Sequence, residues 1–242
     1  MYQLAIKQYL ERHGFEALSP KAVLFDMDGV LYDSMPNHAI AWQQSMTQFG
    51  IKMTADDAYA PEGARGVDTI RKMVMRQQGR EIDEAEAQRM YEVKSRIFHE
   101  LPEAPVMPGI LELMHQIQDD GIQIGVVTGS GQKPLIRRIL KNFGSFVDEA
   151  HITTAYDVRR GKPEPDPYLM GLRKAGDLQP YEAFVVENAP LGIRAGAAAK
   201  IFTIAINTGP LPAQTLLDAN ADLLFPSMTD FSDNWKILMQ SL

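Results

Sequence analysis

Lys21-Ala22-Val23-Leu24-Phe25-Asp26-Met27-Asp28-Gly29-Val30-Leu31-Tyr32-Asp33-Ser34 is the stretch from which the fold can be read. Ala22 to Phe25 is an unbroken apolar run, the pattern of a strand covered on both faces. It stops at Asp26-Met27-Asp28-Gly29. Residues two apart project to the same side of a strand, so Asp26 and Asp28 are expected to leave its C-terminal end together. In an open α/β sheet that end is where ligands bind. Gly29 permits a turn that residues with side chains resist. Two adjacent carboxylates repel each other, and a divalent cation removes that cost. Hard oxygen donors of this kind suit Mg2+.

Working outward, the chain has 242 residues, enough for one large domain or a core with a smaller one. A net charge of −7 argues against a nucleic-acid partner. The absence of cysteine excludes disulfides and thiol catalysis. No apolar run is long enough to span a membrane, and the first residues lack the apolar core of a signal peptide. The expectation from these features is a cytoplasmic monomer, with neither a membrane nor a nucleic acid as partner.

Residues 1 to 14 read as a short amphipathic helix ended by Gly14. After the Asp pair comes helical spacing rather than a second strand. Pro36 stands near a helix start with Asp33 or Ser34 as its cap, and Ala39, Trp42, Met46 and Phe49 recur on one face. Residues 67 to 79 give another helix, and Asp83 with Glu86 opens a third as a capping box. Prolines 102, 105 and 108 then interrupt the chain. The expected organisation is an α/β core of residues 1–34 and 105–242, with residues 35–104 as an all-helical cap. From Ile110 onward strands and helices alternate, which predicts a doubly wound, mostly parallel sheet.

Four features fall at expected strand ends: Asp26 with Asp28, Thr128, Lys162, and Glu187 with Asn188. Thr128 ends an apolar strand, and its hydroxyl with the N–H groups of Gly129 and Ser130 suits phosphate oxygens. Taken alone, Thr128 reads equally well as a helix cap. Lys162 lies in Gly161-Lys162-Pro163-Glu164-Pro165-Asp166-Pro167, a loop stiffened by three prolines. A lysine held in such a loop is suited to neutralising phosphate.

These motifs resemble, in order, the four motifs of the haloacid dehalogenase superfamily, in its β-phosphoglucomutase-like branch with a helical cap. The resemblance implies Asp26 as nucleophile, Asp28 as general acid and base, and Thr128 and Lys162 as clamps on the phosphoryl oxygens. It implies Mg2+ held by Asp26, the Asp28 carbonyl and Asn188, with Glu187 orienting that shell. Asn188 stands where an Asp is common, so one ligand has lost its charge.

The substrate is read from the cap. Glu62-Gly63-Ala64-Arg65-Gly66 departs from the cation-bearing loop of the mutases and resembles that of inorganic pyrophosphatases of the same superfamily. His38 matches a histidine the mutases keep on the first cap helix. Glu62, Arg65, His38, Gly129 and Ser130 are therefore the expected substrate contacts. The expected activity is a magnesium-dependent phosphohydrolase, inorganic pyrophosphatase before small-ester phosphatase. The alternatives are a β-phosphoglucomutase and, more remotely, a non-catalytic phosphate-binding regulator. The regulator is disfavoured because Asp26, Asp28 and Lys162 are all present.

Overall fold

In the computed structural model, which describes residues 2–59, 64–130 and 133–242, Ala22–Phe25 (β1) is buried at all four positions. Five further strands join it: Gln123–Val127 (β2), Ile152–Thr153 (β3), Ala183–Glu187 (β4), Phe202–Ile206 (β5) and Leu223–Phe225 (β6). The sheet runs β3-β2-β1-β4-β5-β6, and every pairing is parallel. β4 and β5 are fully buried, as continuous apolar strands with both faces covered must be. The edge strands are the short ones, which limits the exposed backbone that could pair with another chain.

Alternation along the strands sorts the core into two layers. Val23 and Phe25 of β1, with Phe184 and Val186 of β4, belong to one apolar cluster. It is covered by Tyr2–His13 (α1), Ile110–Asp119 (α6), Lys133–Phe143 (α7) and Met228–Met239 (α11). Ala22, Leu24, Ala183 and Val185 face the other way, against Asp166–Lys174 (α8) and Pro190–Ala198 (α9).

Between β1 and α6 the chain forms four helices: Met35–Thr47 (α2), Ala55–Tyr59 (α3), Gly66–Gln78 (α4) and Glu84–Glu100 (α5). They share an apolar cluster of their own. Asp83 caps α5 by accepting from Glu86 N–H at 2.7 Å, as the sequence predicts. Ser34 is the N-cap residue of α2, but its hydroxyl makes no capping bond. It donates instead to Asp28 at 2.5 Å, so the expected cap is a site residue. The short α3 and Ala213–Leu217 (α10), and the long α11, go beyond what the sequence reading placed.

The strand order reverses between β1 and β4, which puts a crevice at their C-terminal ends. β1 lies between β2 and β4, with Phe25 opposite Val126 and Val186. Asp26, Thr128 and Glu187 therefore emerge side by side.

Candidate active site

Asp26 continues the ladder of β1, its N–H donating to Val186 O at 3.0 Å. Its Oδ1 accepts from Lys162 Nζ at 2.5 Å, and the same ammonium donates to Glu187 Oε1 at 2.6 Å. Lys162 and Glu187 are almost wholly buried, so each needs the other as counter-charge. Glu187 is further satisfied by the Tyr168 hydroxyl at 2.9 Å and by the N–H groups of Asn188 and Ala189 at 3.0 and 3.1 Å. A carboxylate has about four acceptor positions, and these four donors occupy them. Burial pushes the Asp26 carboxyl up to about 7, with Lys162 opposing the rise. Burial alone would lower the Lys162 ammonium, but Asp26 and Glu187 outweigh it and hold it above its ordinary value.

Asp28 faces a different set. Its Oδ1 accepts from the Ser34 hydroxyl and lies 3.4 Å from His38 Nε2. His38 Nδ1 is 2.8 Å from Lys94 Nζ. An ammonium can only donate, so Nδ1 accepts and the imidazole proton sits on Nε2, toward Asp28. Burial drives the Asp28 carboxyl up, but His38, Ser34 and Lys94 together bring it down to about 2. Lys94 itself is only 4% exposed. Burial lowers its ammonium to about 8, with Asp28 resisting. The ammonium also lies over the Trp42 and Phe98 rings, at 5.2 and 4.8 Å.

Both acids open into a cavity of about 530 Å³, which Thr128, Gly129, Ser130 and His38 also line. Ser130 N–H donates to Thr128 Oγ1 at 3.1 Å, so the two are set as one loop. Arg65 is not brought into the cavity. Its side chain is 64% exposed, and the guanidinium pairs with Glu84 at 2.9 Å, beside Asp68 at 3.9 Å. Its neighbours Ala64 and Gly66 line the cavity, but the two carboxylates draw the guanidinium away from it. Glu62, with Gly63, lies outside the described residues, as do Gly131 and Gln132.

Gly29, at φ +75°, leaves room that Asn188 fills: an added Cβ would meet Asn188 Nδ2 at 2.0 Å. The Asn188 amide is thereby pressed against the turn carrying Asp26 and Asp28. A carboxylate, an amide oxygen and the Asp28 carbonyl are hard donors and fit magnesium. Among the described residues no three His, Asp or Glu side chains converge as a metal cluster, so the amide and carbonyl are needed. Glu187, expected among the metal residues, has its oxygens committed to four donors and stands behind the site, orienting Lys162 and the Asn188 loop.

Three participants escaped the sequence reading. Tyr168 is fully buried on α8, and its hydroxyl reaches Glu187. Lys94 carried a signal: Ala87, Met90, Lys94 and Ile97 are the buried stripe of α5, so periodicity puts a lysine on an apolar face. Tyr91 lines the cavity and stands against Gly66, where an added Cβ would meet its ring at 2.1 Å. Only the fold brings those two together.

With this geometry in hand, comparison with known proteins is informative. A haloacid dehalogenase-like hydrolase family model matches residues 20–200. Hexitol phosphatase A of Escherichia coli is 34% identical over 208 residues, 86% of this chain and 91% of that one. Beta-phosphoglucomutase of Bacillus subtilis is 26% identical over 225 residues, 90% of this chain and 97% of that one. A solved structure from Bacteroides vulgatus, provisionally described as a beta-phosphoglucomutase, superposes with a TM-score of 0.94 at 47% identity. It covers 100% of this chain, and the match takes in 98% of that one.

Proposed function

The chain belongs to the haloacid dehalogenase-like hydrolase family, and we propose that it is a magnesium-dependent phosphohydrolase working through an aspartyl phosphate, with inorganic pyrophosphate as substrate. One observation carries the reaction class: Asp26 in contact with Lys162 at the strand end, beside Asp28 and Thr128 on one cavity. Asp26 attacks phosphorus and becomes the acyl phosphate as the bond from phosphorus to the bridging oxygen breaks, and inorganic phosphate leaves with that oxygen. Lys162 and Thr128 hold the phosphoryl oxygens, which is most of what phosphoryl transfer asks of a protein. Asp28, set between Ser34 and His38, handles the proton, taking it from water when the intermediate is hydrolysed. A magnesium ion held by Asp26, the Asp28 carbonyl and Asn188 would supply neutralising charge.

The substrate reading rests on the cavity's far side. Tyr91 and Lys94 line the same cavity as Asp26, Asp28 and Thr128, and the Lys94 ammonium adds positive charge there. That favours an anionic leaving group. In this reading residues 35–104 are a separable cap that closes over the core and excludes water. The similarity to beta-phosphoglucomutases keeps the mutase as the second reading, and the hexitol phosphatase relative keeps ester hydrolysis in view.

The test is phosphate release with magnesium from pyrophosphate, hexitol phosphates, glucose phosphates and nucleotides. The proposal expects the highest kcat/KM on pyrophosphate. Faster conversion of β-glucose 1-phosphate to glucose 6-phosphate would establish the mutase, and preference for a hexitol phosphate an ester phosphatase. No turnover of any of them would leave the regulator.

A further inference from the structure

The two connections to the helical insertion are paired with each other. Asp33 N–H donates to Pro105 O at 3.0 Å, and Met107 N–H donates to Leu31 O at 2.9 Å. Tyr32 and Val106 form an antiparallel bridge between them. The outgoing strand of this ribbon is tied to the catalytic turn, because Gly29 N–H donates to Tyr32 O at 2.8 Å. Two residues beyond Tyr32, Ser34 bonds Asp28; four further on, His38 faces it.

One side chain grips both strands. Arg138, on α7, lays its guanidinium over the Tyr32 ring at 4.0 Å and donates to Ala104 O on the return strand. Asn142, one turn later on α7, holds the Tyr32 hydroxyl at 3.1 Å. Tyr32 is 1% exposed and Ala104 7% exposed, so this contact lies inside the protein. Arg138 Nε is buried without a hydrogen bond, 3.9 Å from the Glu103 carboxylate. The Arg138 side chain is 19% exposed and, with Tyr32 and Ala104, borders the cavity that holds Asp26 and Asp28. A planar, permanently charged group that stacks and donates at once is the residue type for such a pin.

We propose that Arg138 is a positioning residue for the reaction: through Tyr32 and Ala104 it fixes the paired connections, and so sets where Ser34, His38 and Lys94 stand around Asp28. The inference rests on the catalytic reading of Asp28 given above. A shift of about 1 Å in the return strand would bring Glu103 into hydrogen-bond range of Nε. A misplacement of about that size far from the chemistry can cost about 100-fold in rate.

The chain has no cysteine, so Lys72→Cys on α4 and Glu112→Cys on α6, both exposed, can carry spin labels without background. Distances between them are measured by dipolar spectroscopy, and kcat and KM are measured on pyrophosphate and p-nitrophenyl phosphate. In Arg138→Ala the distance distribution should broaden or shift. Turnover should fall at least about tenfold, mostly in kcat. Millimolar methylguanidinium should restore part of both. Arg138→Lys, which keeps the charge without the planar stack, should lose less and gain nothing from the additive; it decides the matter if the Ala protein does not fold. An unchanged distribution in a folded variant overturns the proposal. So does a changed distribution with turnover within about twofold of the parent. If the parent turns over no phosphate compound, the reading of the site falls instead, while the distances still decide whether Arg138 sets the hinge.

Discussion

The sheet core and the four helices that interrupt it are packed from different material. Around the sheet, the largest buried cluster holds Phe25, Phe143, Phe184, Phe202, Phe225, Phe231 and Trp235, and four of its thirty-three residues are methionine. In the helical cluster five of fourteen are: Met35, Met46, Met53, Met73 and Met90. Aromatic and β-branched side chains have few rotamers and lock an interior. Methionine has three free torsions and adapts to its surroundings. The charges differ in the same sense. Lys162, Asp26 and Glu187 are buried and mutually satisfied, whereas the ion pairs of the helices, such as Arg71 with Glu84, are exposed and worth little. In the proposed reaction the attacking and clamping groups stand on the stiffer material, and the helices facing them are packed with the more adaptable one.

That division predicts unequal damage. Asp26→Asn should lower turnover on every substrate by about 1,000-fold or more, because an amide cannot serve as the attacking carboxylate. The fold should persist, since Asn keeps the volume and an oxygen for Lys162. Activity within about tenfold of the parent, in a preparation free of contaminating phosphatase, would refute covalent catalysis through Asp26.

A stability pair probes the packing itself. Phe184 is fully buried and meets Phe202 and Trp235, at ring distances of 5.5 and 6.1 Å. Phe184→Ala should cost about 3–5 kcal/mol, while Met90→Ala should stay near 2 kcal/mol because its methionine neighbours can close the gap. Urea unfolding of both variants is the measurement. Equal losses would mean that the helical cluster is as rigid as the sheet.

A third effect is one of selectivity. Glu62→Ala, in the insertion, should lower kcat/KM on pyrophosphate by about 10- to 100-fold, or about 1.4–2.7 kcal/mol. Sugar monophosphates should be affected much less, since Asp26, Asp28, Thr128 and Lys162 are untouched. Equal losses on all of them would make Glu62 a structural residue of its loop.

The same division explains what the sequence discloses. Asp26, Asp28, Thr128, Lys162, Glu187 and Asn188 could be placed because each lies at the end of, or in a stiff loop beside, an apolar strand, and parallel topology brings those ends together. These signals are local, and the sheet is regular. The insertion is legible as helices, with α5 opened by Asp83 as expected. Its side chains aimed at the site are not legible, because the angle at which α5 lies across Asp28 decides them. Lys94 and Tyr91 face the cavity for that reason, while Arg65, three residues from Asp68, turns to the surface. The sequence offers Asp33 or Ser34 as the cap of α2, because a serine at an N-cap normally bonds its own helix. The partly buried Asp28 carboxylate is charged, so it is the stronger acceptor and takes the hydroxyl.

The smallest effect tests the contrast most directly, by exchanging the two materials. Met46 is fully buried in the helical cluster and Ile204 fully buried in β5. Met46→Leu conserves volume and should cost less than about 1.5 kcal/mol. Turnover on p-nitrophenyl phosphate should hold, since Met46 is absent from the cavity lining. Ile204→Met also roughly conserves volume, but it places an unbranched chain in a central strand between β4 and β6. There the β-branched residue suits the pleated surface, and the flexible one must give up rotamer freedom to fit. The expectation is a larger loss for Ile204→Met than for Met46→Leu, by about 0.5–1 kcal/mol on the scale of strand preferences. Paired urea curves resolve that difference if the slopes agree. A loss at Met46 that equals or exceeds the loss at Ile204 would show that the methionines of the insertion are fixed in place. The adaptable half of the comparison would then have to be given up.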